Sequence, residues 1–254
     1  MIFNRTSIGL ICIACILTLS LSIQSALSFE IIFCDVGQGA ATLLHLGTYQ
    51  ILIDTGPDKR VLNCIGRHIP FFDHTIETII ISHNQKDHNG GLSAINNKYK
   101  VNFVYGPLPK PMVSKDTVFV EVKNTITLKI KNISILIHKA SQSSKELNDS
   151  ANVVTIHTSN KVSHTIFLPS DINGLELKSL LPKNTTILEV PHHGSKYGLY
   201  PDSLELAHPT AAVISVGKKN TYGHPSKEVL AILKAENIKI WRTDKQGELV
   251  IDLK

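Results

Sequence analysis

With 254 residues, the chain is long enough for one large domain or two small ones and for a substantial buried core. Hydrophobic residues make up 43% of it, which excludes a disordered chain, and it contains no low-complexity run or internal repeat. The formal charge of +5 is too mild and too evenly spread to identify a nucleic-acid binder by itself.

Residues 1–28 differ from the rest. Arg5 is followed by a nearly uninterrupted apolar stretch over 8–21, and Ala26-Leu27-Ser28 supplies the small residues that precede a cleavage site. This pattern predicts a secretory signal peptide, and so export to the periplasm or beyond, with 29–254 as one domain. An uncleaved membrane anchor is the alternative, since the apolar run is near the lower limit for spanning a bilayer, roughly 17–20 residues. Cleavage would leave 25 basic residues against 21 acidic ones. It would also remove Cys12 and Cys15 and leave Cys34 and Cys64. An exported protein is permitted to pair them. Cys34 lies in a strand-like run, however, and two free, buried thiols are the expectation.

Alternating and β-branched runs predict strands over 30–36, 42–46, 50–53, 76–81 and 101–105, with a short helix over 59–65. Nine alternating β-formers between Thr117 and His138 predict two or three antiparallel strands, and the polar stretch 141–150 reads as a loop. Further strands are predicted over 153–156, 165–168, 186–190, 211–216, 238–241 and 248–253. Helices are predicted over 174–181, 201–207 and 226–236, the last with Val229, Ile232 and Leu233 on one face. Strands in both halves with helices between them predict two sheets packed face to face under outer helices.

The chemistry concentrates in residues 82–91, S-H-N-Q-K-D-H-N-G-G, directly after the apolar run Thr78-Ile79-Ile80-Ile81. His83, Asp87 and His88 offer imidazole and carboxylate donors of the kind that bind zinc or manganese, and a loop at a strand end can aim several at one point. A polar surface loop is the bland alternative, but two histidines and an aspartate immediately after four apolar residues favour the metal. Three more polar loops follow apolar strands, at Asp171, at His192-His193 and at 220–224.

The stretch strand-H-x-x-x-D-H-x-G-G resembles the central motif of the metallo-β-lactamase superfamily. C-D-V-G-Q-G from Cys34, D-T-G from Asp54, P-H-H-G-S from Pro191, N-T-Y-G-H-P from Asn220 and R-T-D from Arg242 resemble one branch of it, the metallohydrolase domain of ComEC-type DNA-internalisation (competence) proteins. The resemblance implies an α+β fold, a four-layer αββα sandwich with a site for one or two divalent ions at one edge between the sheets. It implies His83, Asp87, His88, Asp171, His192 or His193, and His224 as ligands or near neighbours, with Asp171 bridging two ions. Alternation at a strand end predicts that only one of His192 and His193 faces a metal directly. Asp54 is expected to be structural, receiving hydrogen bonds from the loops around the site.

Three departures from the family pattern stand out. Ala40 replaces an aspartate, Gln85 replaces the histidine or aspartate of the second ligand position, and 148–154 lacks a further superfamily histidine, as is usual in this branch. A neutral amide is a poor transition-metal donor, so a single well-bound ion, or one tight and one labile, is expected rather than two tight ones. Metal-activated water would make the chain a hydrolase. Lys86, Lys196, Lys218 and Lys219 on the site loops, with Asn220, are the substrate-binding candidates and suit a phosphodiester. Asp87 and His224 are the catalytic candidates, His224 as a ligand or as the acid that protonates a leaving oxygen. The expected reading is an exported metal-dependent phosphodiesterase with DNA or another nucleic acid as substrate. A lactone, a β-lactam or a phosphorylated cell-wall component is the enzymatic alternative, and a catalytically impaired binding module the non-enzymatic one.

Overall fold

A computed structural model describes residues 28–253 apart from 110–111, 142–147, 149 and 160–161. The signal-peptide expectation and most of the 141–150 loop lie outside these residues.

In chain order the elements are β1 (Phe29–Phe33), β2 (Thr42–Leu46), β3 (Gln50–Ile53), α1 (Val61–His68), β4 (Thr75–Ile80), α2 (Lys86–Asn89), α3 (Leu92–Asn96), β5 (Lys100–Tyr105) and β6 (Val118–Val120). There follow β7 (Ile126–Ile130), β8 (Ile133–Lys139), β9 (Asn152–Thr158), β10 (Thr165–Leu168), α4 (Gly174–Leu180), β11 (Ile187–Glu189), β12 (Ala211–Ile214), α5 (Lys227–Ala235), β13 (Lys239–Arg242), α6 (Thr243–Gln246) and β14 (Leu249–Asp252).

The central strands, such as β2, β3, β9 and β11, are buried on both faces, and the period of two divides their side chains between layers. Ile31 and Phe33 of β1, Ile51 and Ile53 of β3, and Val154 and Ile156 of β9 meet in one cluster between the two sheets. Their neighbours Ile32 and Leu52 point the other way, into a cluster with Val61 and Ile65 of α1. Val153 and Phe167 point outward on the second sheet, against Leu177 of α4 and Val229 and Leu233 of α5. Three apolar layers therefore separate helix, sheet, sheet and helix, the αββα sandwich that the sequence resemblance implied.

The first sheet runs β14-β1-β2-β3-β4-β5-β6 and the second β13-β12-β11-β10-β9-β8-β7. Strands β3 to β6 are parallel, as are β10 to β13. Each parallel block ends its strands on one edge, so the loops after β4, β10, β11 and β12 are delivered together.

Two expectations are corrected. Cys34 and Cys64 are not free thiols but form a disulfide, with Cα atoms 5.8 Å apart. Both face the layer between the first sheet and α1, and that separation is one a disulfide spans without backbone movement. The region 117–138 is not one antiparallel set: β6 adds to β5 in parallel, whereas β7 and β8 form a hairpin at the edge of the second sheet. Alternation alone cannot tell which sheet a strand joins. The chain also forms α2 within the predicted central loop and α3 directly after it.

Candidate metal centre

Strand β4 ends at Ile80, and the chain turns into α2 within the next six residues. Gln85 has an extended backbone and caps α2, its carbonyl accepting from the N–H groups of His88 (3.0 Å) and Asn89 (2.9 Å). The x-x-x of H-x-x-x-D-H is thus the strand-to-helix turn that brings Asp87 and His88 back beneath His83. Backbone braces fix the helix: Ala40 N–H donates to the Asp87 carbonyl (3.2 Å) and Thr55 N–H to the His88 carbonyl (2.6 Å). Gly90 and Gly91 permit this approach, since a Cβ on them would collide with the Pro57 and Thr55 carbonyl oxygens.

Asp54, at the end of β3 with φ 56°, accepts from Ser82 N–H (2.8 Å), Ser82 Oγ (2.7 Å) and His88 Nδ1 (2.6 Å). It is the structural aspartate that the resemblance implied. By accepting a hydrogen bond from Nδ1–H it turns His88 Nε2 toward Asp171 Oδ1, 3.2 Å away. His193 is held in the same way, its Nδ1 donating to the Ser215 carbonyl at 2.8 Å. Its Nε2 lies 3.3 Å from Asp87 Oδ2 and 3.7 Å from Asp171 Oδ1. Donor atoms of Asp87, His88, Asp171 and His193 all fall within 4.8 Å of one another.

The other Asp171 oxygen, Oδ2, faces His83 Nε2 at 4.0 Å and His192 Nε2 at 3.9 Å. His192 and His193 both reach Asp171 because they do not continue β11. They sit in a 3-10 turn, Pro191–Gly194, with φ of 52° and 54°, so strand alternation does not apply to them. Two consecutive non-glycine residues in this region cost on the order of 1–3 kcal/mol each, and such strain is tolerated where the surroundings over-determine it.

The electrostatics are those of a site built around a cation. Nε2 of His83, His88 and His193 and Nδ1 of His224 are buried without a hydrogen-bond partner. Burial opposes charge on His88, but the Asp171 and Asp54 carboxylates outweigh it and hold its pKa well above the usual value. Burial likewise opposes His193, and Asp171 and Asp87 raise it. Burial would raise Asp171, yet His88, His193 and His192 keep it far below the usual range. Burial, then the neighbouring His88, pushes His83 down to about 4. The carboxylates thus favour positive charge on His88 and His193, the role a divalent ion would take over, and binding that ion requires the neutral imidazoles. The donor set and the orphaned ring nitrogens fit a divalent metal.

No protein-family model matches the chain. It is 26% identical over 275 residues to ComE operon protein 3 of Bacillus subtilis (strain 168), covering 93% of this chain and 35% of that protein. It is 24% identical over 231 residues to Competence protein ComA of Neisseria gonorrhoeae, covering 86% of this chain and 31% of that one. The chain therefore spans about a third of the length of these relatives. Among solved structures it is similar to the metallo-beta-lactamase fold protein YhfI from Bacillus subtilis, with a TM-score of 0.58 at 13% identity over 88% of this chain and 99% of that one. Tm1679, a metal-dependent hydrolase of the beta-lactamase superfamily, gives 0.52 at 14% identity over 88% and 98%. The fold is that of the metallo-β-lactamases.

In this metallo-β-lactamase fold the centre opens into a cleft of about 430 Å³ whose walls include Gln38, Arg60, Lys86, Lys219, Tyr222 and His224. Lys218 lines an adjoining groove, and Lys196 lies with its Nζ 4.9 Å from the centre of the Tyr197 ring. Asn220 borders the cleft but spends its side chain on the loop: Oδ1 accepts from His224 N–H (3.0 Å), while Nδ2 donates to the Gly217 and His224 carbonyls. His224 lies with its ring 6.1 Å from that of His192 and stacks against the exposed Tyr222. Burial and the nearby His192 and His193 lower its pKa. Gln85 also lines the cleft and donates from Nε2 to Asn148 Oδ1 at 2.8 Å, an amide pair at the second ligand position of the motif.

Sequence reasoning missed Arg60, four residues beyond the D-T-G motif but part of none, and Glu189. The buried Glu189 accepts from Ser215 Oγ at 2.7 Å, behind the carbonyl that orients His193. Its one sequence signal was an acid in an apolar strand.

Proposed function

We propose that the chain is a metal-dependent hydrolase, and that its substrate is a phosphodiester of DNA or another nucleic acid. The observation that carries the reading is Asp171, buried between two donor sets, one oxygen toward Asp87, His88 and His193 and the other toward His83 and His192. A divalent ion held there supplies Lewis acidity and a nucleophile from water at neutral pH, without a protein nucleophile. Zinc and manganese both suit these donors.

The chain's own residues supply the rest. Asp54 and the Ser215 carbonyl fix which nitrogen each of His88 and His193 presents. His224, its pKa lowered, is neutral at pH 7 and suited to donating a lone pair rather than a proton. Lys86 and Lys219 place positive charge around the cleft, which favours an anionic substrate over a neutral lactone. The similarity to ComE operon protein 3 and Competence protein ComA supports a nucleic-acid substrate. The Cys34–Cys64 disulfide supports export, since such bonds persist in oxidising compartments.

Metal content and turnover on the same preparation test the reading. Bound zinc, manganese or iron with hydrolysis of bis-p-nitrophenyl phosphate and of an oligonucleotide is the expected result. Turnover of a β-lactam or lactone but of neither phosphodiester would refute the substrate. Metal without any turnover would favour a binding module, the reading to which the Gln85–Asn148 pair points.

A further inference from the structure

We infer that Arg60 binds a second phosphate, next to the one being cleaved, in a groove that continues from the metal cleft. This rests on the phosphodiester reading and adds a residue and a subsite to it.

The groove holds about 450 Å³ and is bounded by Asp35, Gly37, Gln38 and Arg60 on one side and by 217–220 on the other. It shares Gln38, Arg60, Lys219 and Asn220 with the metal cleft, whereas Asp87, Asp171 and the histidines line the cleft alone. An anionic group in the groove is therefore distinct from one at the metal centre yet close enough to be bonded to it, which describes neighbouring phosphates of a polynucleotide. Arg60, Lys218 and Lys219 face one carboxylate in the groove, that of Asp35, which accepts from Gly37 N–H at 3.2 Å.

Arg60 is set up for this role. Asp58 grips its Nε and Nη2 at 2.9 Å each, which fixes the guanidinium plane and leaves the Nη1 edge for another acceptor. That edge passes over Gly37, where any Cβ would overlap Nη1. Gly37 also has φ +78°, so two constraints select glycine there. The Cys34–Cys64 disulfide ties together the segments that lead to Gly37 and from Arg60, and so joins the two parts of this wall. The Arg60–Asp58 pair is about half exposed, and pairs of this kind add little to stability, so its removal leaves the fold standing.

The test uses the metal-loaded full chain and two substrates, a thymidine dinucleotide with one phosphodiester and a tetranucleotide with three. The wild type is expected to show a KM roughly tenfold lower for the tetranucleotide, the effect of one charge-assisted contact, with kcat little changed. Arg60→Gln should remove that gain and reduce the slope of log affinity against log salt by about one. Asp58→Asn, which frees the guanidinium, should reduce the gain in part. Three results overturn the proposal: an unchanged gain in Arg60→Gln, equal losses on both substrates, or no gain in the wild type. A metal-loaded wild type that cleaves neither substrate refutes the phosphodiester reading itself, a failure visible before any variant is made.

Discussion

Glu189 sits on β11 behind the candidate metal centre, buried, with Ser215 Oγ donating to it at 2.7 Å. Burial is the main reason its pKa rises from 4.5 to about 7; the Asp54 charge adds to the rise, and the Ser215 hydrogen bond, His193 and His88 oppose it. A carboxyl raised in the folded state favours its neutral form there. Below pH 4.5 both folded and unfolded chains carry the proton and the group is neutral to stability. As the pH climbs to about 7 the unfolded chain alone ionises, and the folded state loses ground until both are ionised. A shift of about 2.5 units at 1.36 kcal/mol each makes the cost about 3 kcal/mol above pH 8, and under about 1 kcal/mol at pH 5. Glu189→Gln keeps the shape and the acceptor for Ser215 but cannot ionise. In metal-free protein it should melt roughly 6–12 °C above the wild type at pH 8.5, and only a few degrees above it at pH 5. Thermal unfolding followed by circular dichroism at both values measures this. An advantage that is the same at both values would mean that Glu189 titrates normally and that this reasoning is wrong.

Asp171→Ala removes the carboxylate shared by both donor sets and should abolish stoichiometric metal binding, read by elemental analysis after dialysis; retention of a full equivalent would place the ion elsewhere. Gln85→His should raise the metal stoichiometry or tighten the weaker equivalent in a calorimetric titration, because it offers a donor where an amide now bonds Asn148. No change would show that His83 and His192 do not form a second site. Reducing the Cys34–Cys64 bridge, which closes a loop of 30 residues, should cost about 3.5 kcal/mol of stability by chain entropy. Denaturant unfolding with and without reductant, beside Cys34→Ser/Cys64→Ser, checks this, and a difference under about 1 kcal/mol would refute it.

The strands were legible because their signal is local: a run such as Thr78-Ile79-Ile80-Ile81 carries its period and its β-branched content in consecutive residues. The spacing of His83, Asp87 and His88 was legible for the same reason, since one strand-to-helix turn holds all three, and the ordered loop motifs were enough to bring the αββα sandwich into view. What tertiary structure decided lies between segments. Cys34 and Cys64 look like inert core thiols until β1 and α1 are packed together, and 30 residues of spacing carry no sign of that. His192 and His193 would obey alternation in a longer strand, but β11 ends at Glu189 and the turn that follows sends both toward Asp171. Asn220 resembles a ligand-binding side chain in a polar loop, and the folded loop uses its amide to hold His224. Arg60 reads as an ordinary charge in the first turn of a predicted short helix. Only the closure of the 217–220 loop against Gly37 and Gln38 places it in the wall of a groove, because a groove is made by two segments and neither segment encodes it alone.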